Sequence, residues 1–168
     1  YQSMIRRKIS EGMLCVAGSQ DDEDMLGFYL RHSWEKAFYV RELTAEGGAL
    51  PEAPAADWAA PEEYIALRET ALRGTDHYVF DLPYVQMQEY VSRDGGGGLL
   101  KFPGSGACCA VAAYEDDETV LLSELLAPDD RLLDCAAGVL RRMPARRIRL
   151  RLPAWSGAAV GAELVPYA

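Results

Sequence analysis

Long apolar runs are missing from this chain of 168 residues. Its hydrophobic content is 49%, yet no stretch approaches the roughly 20 apolar residues of a membrane span, so a soluble chain is expected. Positive charge is scarce: 17 Lys and Arg stand against 26 Asp and Glu, a net charge of −9. That balance argues against nucleic acid and acidic membrane as partners and suits a basic substrate such as an amine. Histidine occurs only as His32 and His77, at no ligand spacing, so no metal site is expected. Cys15, Cys108, Cys109 and Cys135 show neither CxxC nor zinc spacing. They lie in apolar strand or helix segments and read as buried free thiols of a cytoplasmic protein rather than as disulfides. No signal peptide and no internal repeat are evident. The first residue is Tyr1 rather than Met, and together with the contents this suggests a fragment of a longer chain.

What is present is organised around Gly106–Pro153. Ala107–Tyr114 and Thr119–Leu126 are apolar at nearly every position, as expected of strands covered on both faces. Glu115-Asp116-Asp117-Glu118 between them is too charged to bury and reads as the hairpin loop. Leu132, Leu133, Ala136, Val139, Leu140 and Met143 form one helical stripe. Asp129 and Asp130 suit the N-terminal end of that helix and Arg141 and Arg142 its C-terminal end, and Pro144 stops it. Ile148, Leu150 and Leu152 then alternate with Arg147, Arg149 and Arg151, a strand with one wet face. The order ββαβ, with a helical crossover, predicts an α/β (α+β) fold: a mixed, mostly antiparallel sheet flanked by helices.

Before this unit, Tyr1–Ser10 reads as a helix, Met13–Ala17 as a short strand, Met25–Leu30 as a helix and Ala37–Val40 as a strand. Thr44–Ala60 is rich in Ala, Gly, Pro and acids without periodicity and reads as a linker, with Trp58 anchoring it to a surface. Pro61 opens a helix that stops at Gly74, and Asp81-Leu82-Pro83 opens another that ends at Asp94 and the glycines after it. Leu99–Phe102 and Glu163–Tyr167 read as short strands.

Four features invite chemistry. Gly95–Gly98 follows a helix and precedes a strand, the reverse of a phosphate cradle, so a turn is favoured. Cys108 and Cys109 are adjacent in a strand and face opposite sides, as two core thiols rather than a redox pair. The six arginines from Arg141 to Arg151 read as a solvated face paired with acids, with an anion-docking patch as the alternative. Glu124, mid-strand among apolar residues, is either a functional carboxylate or a satisfied hydrogen-bonding group.

The run MLCVAGSQDDEDMLGFYLRHSWEKAFYVREL resembles the last part of a GNAT N-acetyltransferase fold, in which a helix ends in a Phe-Tyr pair. Phe28-Tyr29 stand as that pair, while His32-Ser33-Trp34 replaces the Gly-Phe that usually follows. HYVFDLPYVQMQEYV, GACCAVAAYEDDETVLLSELL, the helix after it and RRIRLRLP are similar to the second, degenerate GNAT-like domain of two-domain members of that superfamily. The resemblance therefore implies residues 1–43 as the end of a first GNAT-like fold, 44–60 as a linker and 61–168 as a degenerate second one.

The resemblance further implies an acetyl-CoA-dependent N-acetyltransferase acting on a small-molecule or peptide amine, and it permits a homo-oligomer. Tyr29 would act as general acid toward the departing thiolate, with Phe28 beside the cofactor; thiol and phenol pKa values of about 8.5 and 10 make that transfer nearly balanced. The family holds the CoA pyrophosphate on backbone N–H groups at a helix N-terminus. In the first fold this loop would precede Tyr1. In the second its place is Leu126–Asp130, where Pro128 lacks an N–H and two carboxylates repel phosphate. The second domain is therefore expected not to bind CoA in that way. The alternative reading is a non-catalytic interaction module that kept the fold and lost the cofactor.

Overall fold

The computed structural model describes residues 27, 28, 30, 31 and 39–166. The chain divides into two units, Tyr1–Phe38 with Pro166–Ala168, and Tyr39–Val165. In the first, Gly27, Phe28, Leu30 and Arg31 are helical, in line with the helix expected there. The elements expected at Tyr1–Ser10 and Met13–Ala17 lie outside the described residues.

The second unit is built on strands β1 (Tyr39–Glu46), β2 (Asp57–Trp58), β3 (Gly98–Lys101), β4 (Cys109–Asp116), β5 (Thr119–Leu126), β6 (Arg147–Pro153) and β7 (Glu163–Pro166). They form one seven-stranded sheet in the order β2-β3-β4-β5-β6-β1-β7. β5 and β6 run parallel; β1–β6, β2–β3, β3–β4 and β4–β5 are antiparallel. The helices are α1 (Pro61–Ala71), α2 (Leu82–Asp94) and α3 (Leu132–Arg142).

Sequence patterning places these elements. In β4, Ala110 and Ala112 join the core shared with α3, whereas Cys109 and Val111 join the core shared with α1 and α2. This strand is covered on both faces, as its unbroken apolar run requires. Its hairpin to β5 turns over Asp117-Glu118, where the Asp116 carboxylate accepts the Glu118 N–H at 2.8 Å. In β6, Ile148, Leu150 and Leu152 are buried and the arginines between them are half-exposed. α3 buries Leu132, Cys135, Ala136 and Val139 against that core. The side chain of Asp81 caps α2 by accepting the Tyr84 N–H at 3.0 Å, and Pro61 occupies the first turn of α1.

Two stretches differ from expectation. The strand anticipated at Ala37–Val40 is described from Tyr39 to Glu46, so it runs into Thr44–Ala60 and pairs with all of β6. The rest of that alanine-rich stretch is packed against α3 and the sheet rather than strung free. Ala53, Ala56 and Ala59 are buried, and the backbone finds partners: Ala56 N–H to Gly138 O at 2.9 Å, Ala59 N–H to Leu99 O at 2.9 Å. Arg141 and Arg142 donate to Ala53 O and Ala56 O at 2.9 and 2.7 Å. Small side chains make this possible, because a Cβ on Gly138 would stand 2.7 Å from Pro54 O. Trp58 does anchor the segment, as β2 against β3.

Candidate functional site

β5 and β6 form a fork. Thr119–Leu122 pair with Arg147–Leu150, and there the ladder stops, although β5 continues to Leu126 and β6 to Pro153. A bulge coincides with the parting. Val111 faces Glu124 and Ala112 faces Leu122, so Ser123 is an extra residue in β5. Where the chain leaves the two strands lies a cavity of about 260 Å³. Leu126, Ala127 and Pro128 line it from β5, Pro153 and Trp155 from β6, and Cys108 from the start of β4.

The N-terminus of α3 lies next along the chain from this cavity. Pro128 has no N–H to offer, and Asp129–Arg131 form a 3-10 turn leading into α3. The Asp129 carboxylate accepts the Ser156 hydroxyl at 2.7 Å and the Gly157 N–H at 2.9 Å. Those two bonds, Ser156 first, hold its pKa below the ordinary carboxylate value. Asp130 and Asp134 add negative charge, and Arg131 is engaged by Asp134 at 3.2 Å and by Ser105 Oγ at 2.8 Å. A pyrophosphate needs free N–H groups and positive potential, and this helix start supplies a proline and carboxylates. The residues of this unit therefore do not fit the pyrophosphate of CoA at α3.

On the opposite face of the sheet the bulge has a second effect. By simple alternation Glu124 would follow Val120 and Leu122 toward α3; the extra residue turns it toward α1 instead. There Tyr64 and Arg68, four residues apart and so on one helix face, meet it. The Tyr64 hydroxyl donates to Glu124 Oε2, and Arg68 Nε and Nη2 donate to the same carboxylate at 3.0 and 3.2 Å. Arg68 Nη1 donates to Tyr78 O at 2.7 Å, and its guanidinium lies 3.7 Å from the centroid of the Phe80 ring. Burial, then the Glu124 charge, pushes the Tyr64 phenol well above its ordinary pKa. Glu124 is thus the satisfied hydrogen-bonding group, not a free acid. Its partners were missed in the sequence, although a Tyr-x-x-x-Arg pair on a core-facing helix was the available signal.

The other features resolve as follows. Gly95, Gly96 and Gly97 donate their N–H groups to Val91, Arg93 and Ser92 carbonyls, which leaves no phosphate cradle. Arg149 pairs with Glu115 at 2.9 Å, Arg151 with Glu42 at 2.8 Å and Arg142 with Asp57 at 3.1 Å, so the basic stripe is a paired face. Cys108, Cys109 and Cys135 are free and buried, and Cys108 and Cys109 face opposite cores. His77 meets Thr75 O at 2.7 Å and Glu69 at 3.1 Å, and these partners raise its pKa. Among the described residues, no group of three or more His, Cys, Asp or Glu could hold a metal ion, and no helix is long and apolar enough to cross a membrane. Phe28 is an exposed helical residue; Tyr29, Cys15 and His32 lie outside the described residues.

No protein-family profile matches the chain. No curated protein matches it either. Among solved structures it is similar to a GCN5-related N-acetyltransferase from Kribbella flavida, with a TM-score of 0.64 and 15% identity over 96% of this chain and 42% of that one. It is also similar to Eis1 from Mycobacterium abscessus, with a TM-score of 0.58 and 12% identity over 98% of this chain and 48% of that one. The chain thus spans less than half the length of either neighbour. At these identities the likeness is one of fold: the mixed sheet flanked by helices is that of the GCN5-related N-acetyltransferases.

Proposed function

We propose that this chain is part of an acetyl-CoA-dependent N-acetyltransferase that transfers an acetyl group to an amine. Residues 1–38 belong to the catalytic fold, with Tyr29 donating a proton to the departing thiolate and Phe28 beside the cofactor. The unit Tyr39–Val165 is a second fold of the same kind that shapes the substrate site or joins copies of the protein, without handling CoA. The supporting observation is the fold itself combined with the carboxylate-filled start of α3, which leaves the acyl chemistry to the other unit. The test uses the polypeptide encoded by the whole reading frame, assayed with acetyl-CoA and a panel of amines. Tyr29→Phe should lower kcat by about 100-fold and leave the KM for acetyl-CoA nearly unchanged; an unchanged kcat would remove Tyr29 from its role.

The same Asp129 contacts favour a second reading, an interaction module that kept the fold and lost the cofactor. Titration calorimetry of the whole polypeptide with acetyl-CoA separates the two. Binding supports the enzyme, and absence of binding supports the module.

A further inference from the structure

The cavity at the β5–β6 fork has an apolar floor and a wet mouth. Leu72, Cys108 and Leu126 stand in its wall at 4%, 1% and 4% exposure, whereas Trp155 is 60% exposed. At about 260 Å³ it has room for one ring and a short arm. Among the described residues, no Lys, Arg or His lines it. Its hydroxyls and thiol already donate: Ser156 to Asp129 at 2.7 Å, Cys108 to Ser105 O at 3.0 Å and Ser105 to Pro103 O at 3.4 Å. What these groups retain is accepting capacity, as lone pairs on oxygen and sulfur. Among the described residues, the Trp155 indole N–H is the one lining side-chain donor left over, so an anion would meet a single such donor and no cation.

The charges on the flanking residues favour a cation. Asp129, Asp130 and Asp134 stand against Arg131 and Arg41, and both guanidinium groups are committed. Arg131 is held by Asp134 at 3.2 Å and Ser105 Oγ at 2.8 Å, and Arg41 donates to Ala154 O at 3.0 Å and Ala162 O at 2.9 Å. Asp130 is exposed, two residues beyond the lining Pro128, and its charge acts on the Cys108 sulfur in the cavity wall. The Trp155 ring is likewise uncommitted: among the described residues, the guanidinium–ring contacts belong to Phe80 and Trp58.

We propose that this cavity binds a small organic ammonium ion, its apolar body seated on Leu72 and Leu126 and its charged end at the mouth against Trp155 and Ser156 Oγ. The orientation follows from the cost of desolvation. A ring on the floor leaves water favourably, whereas an ammonium group carried there would lose its hydration with no carboxylate to replace it. At the mouth it keeps part of its water, gains the face of the Trp155 ring and donates an N–H to Ser156 Oγ. Because Ser156 itself donates to Asp129, its oxygen is the better acceptor. The inference rests on this unit alone and holds whether or not the polypeptide transfers acyl groups.

The probe is 2-phenylethylammonium, titrated calorimetrically into the polypeptide encoded by the whole reading frame. It should bind at least about fivefold tighter than 2-phenylethanol, which has the same body without the charge, and tighter still than 3-phenylpropionate. Trp155→Leu keeps an apolar wall and removes the aromatic face. It should weaken the ammonium at least about fivefold and leave the alcohol unchanged, while Trp155→Phe should keep most of the binding; equal urea midpoints check that both variants fold. On binding, hydrogen exchange should slow in peptides covering Pro103–Cys109 and Pro153–Gly157. Saturating acetyl-CoA should not displace the amine. No binding, equal affinity for the amine and the carboxylate, undiminished binding in Trp155→Leu, protection confined to other segments, or displacement by acetyl-CoA would each overturn the proposal.

Discussion

At the scale of single residues, the most consequential contact is between Arg68 and Glu124. The arginine side chain is 5% exposed, and the carboxylate, Tyr78 O and the Phe80 ring together occupy its guanidinium. Removing one member of such a pair leaves a charge buried without a partner, whereas removing both does not. Glu124→Ala should therefore destabilise the chain by about 3 kcal/mol, read as a lower urea midpoint. The double variant Arg68→Met with Glu124→Met should recover most of that loss. Equal losses in the single and double variants would mean that the stranded Arg68 charge is not the source of the cost. Nothing near Glu124 in the sequence names Tyr64 or Arg68, because the pairing spans some 60 positions and depends on a bulge. Sequence patterning identifies a polar residue in an apolar strand, but only the register says which face it takes.

At the scale of elements, the clearest constraint is the join between α2 and β3. The sequence reads Gly95–Gly98 as a turn; Gly95 and Gly96 form it and Gly98 already opens β3, and the need for glycine comes from crowding as well as conformation. A Cβ at Gly97 would stand 1.9 Å from Ala112 O, inside the β4 backbone itself. Gly97→Ala should thus cost more than the about 1–3 kcal/mol of ordinary overpacking, measured by the same urea titration. Gly48→Ala, where a Cβ meets nothing within 4 Å, is the matched control and should be nearly neutral. The run β4–β5–α3–β6 was legible because each element carries its own periodicity. β2 and the strap from Gly47 to Ala60 were not, because alanines have no face of their own and their burial is imposed by α3 and Gly138 across long separations. The two-residue length of β2 is likewise below what any pattern can mark.

For the whole molecule, the start of α3 links charge to both stability and ligand choice. The folded-state pKa of Asp129 is depressed, so its contribution is present above the unfolded value of about 3.9 and is lost as pH falls through the lower folded value. Asp129→Asn keeps an oxygen to accept from Ser156 and Gly157 and removes the titration. The slope of stability against pH below about 4 should therefore be shallower in the variant. His77 works in the other direction: its raised pKa contributes below about 6.5 and the contribution is lost as pH rises through the folded value. The same carboxylates should leave this chain indifferent to acetyl-CoA, with no thermal shift in its presence. A shift of several degrees would mean that a phosphate site exists outside the residues considered at α3. The sequence already suggested the refusal through Pro128 and the two aspartates, but not that Asp129 would be held by Ser156 and Gly157 from beyond β6.

The short outer strand β2 also bears on how this molecule meets its own kind. Open sheet borders invite other chains to lengthen them. Here that border is only two residues long and is followed by Ala59, whose amide is already committed to Leu99. A newcomer would find almost no free template on that side, so self-templated fibre growth through this margin is discouraged by the way the sheet finishes.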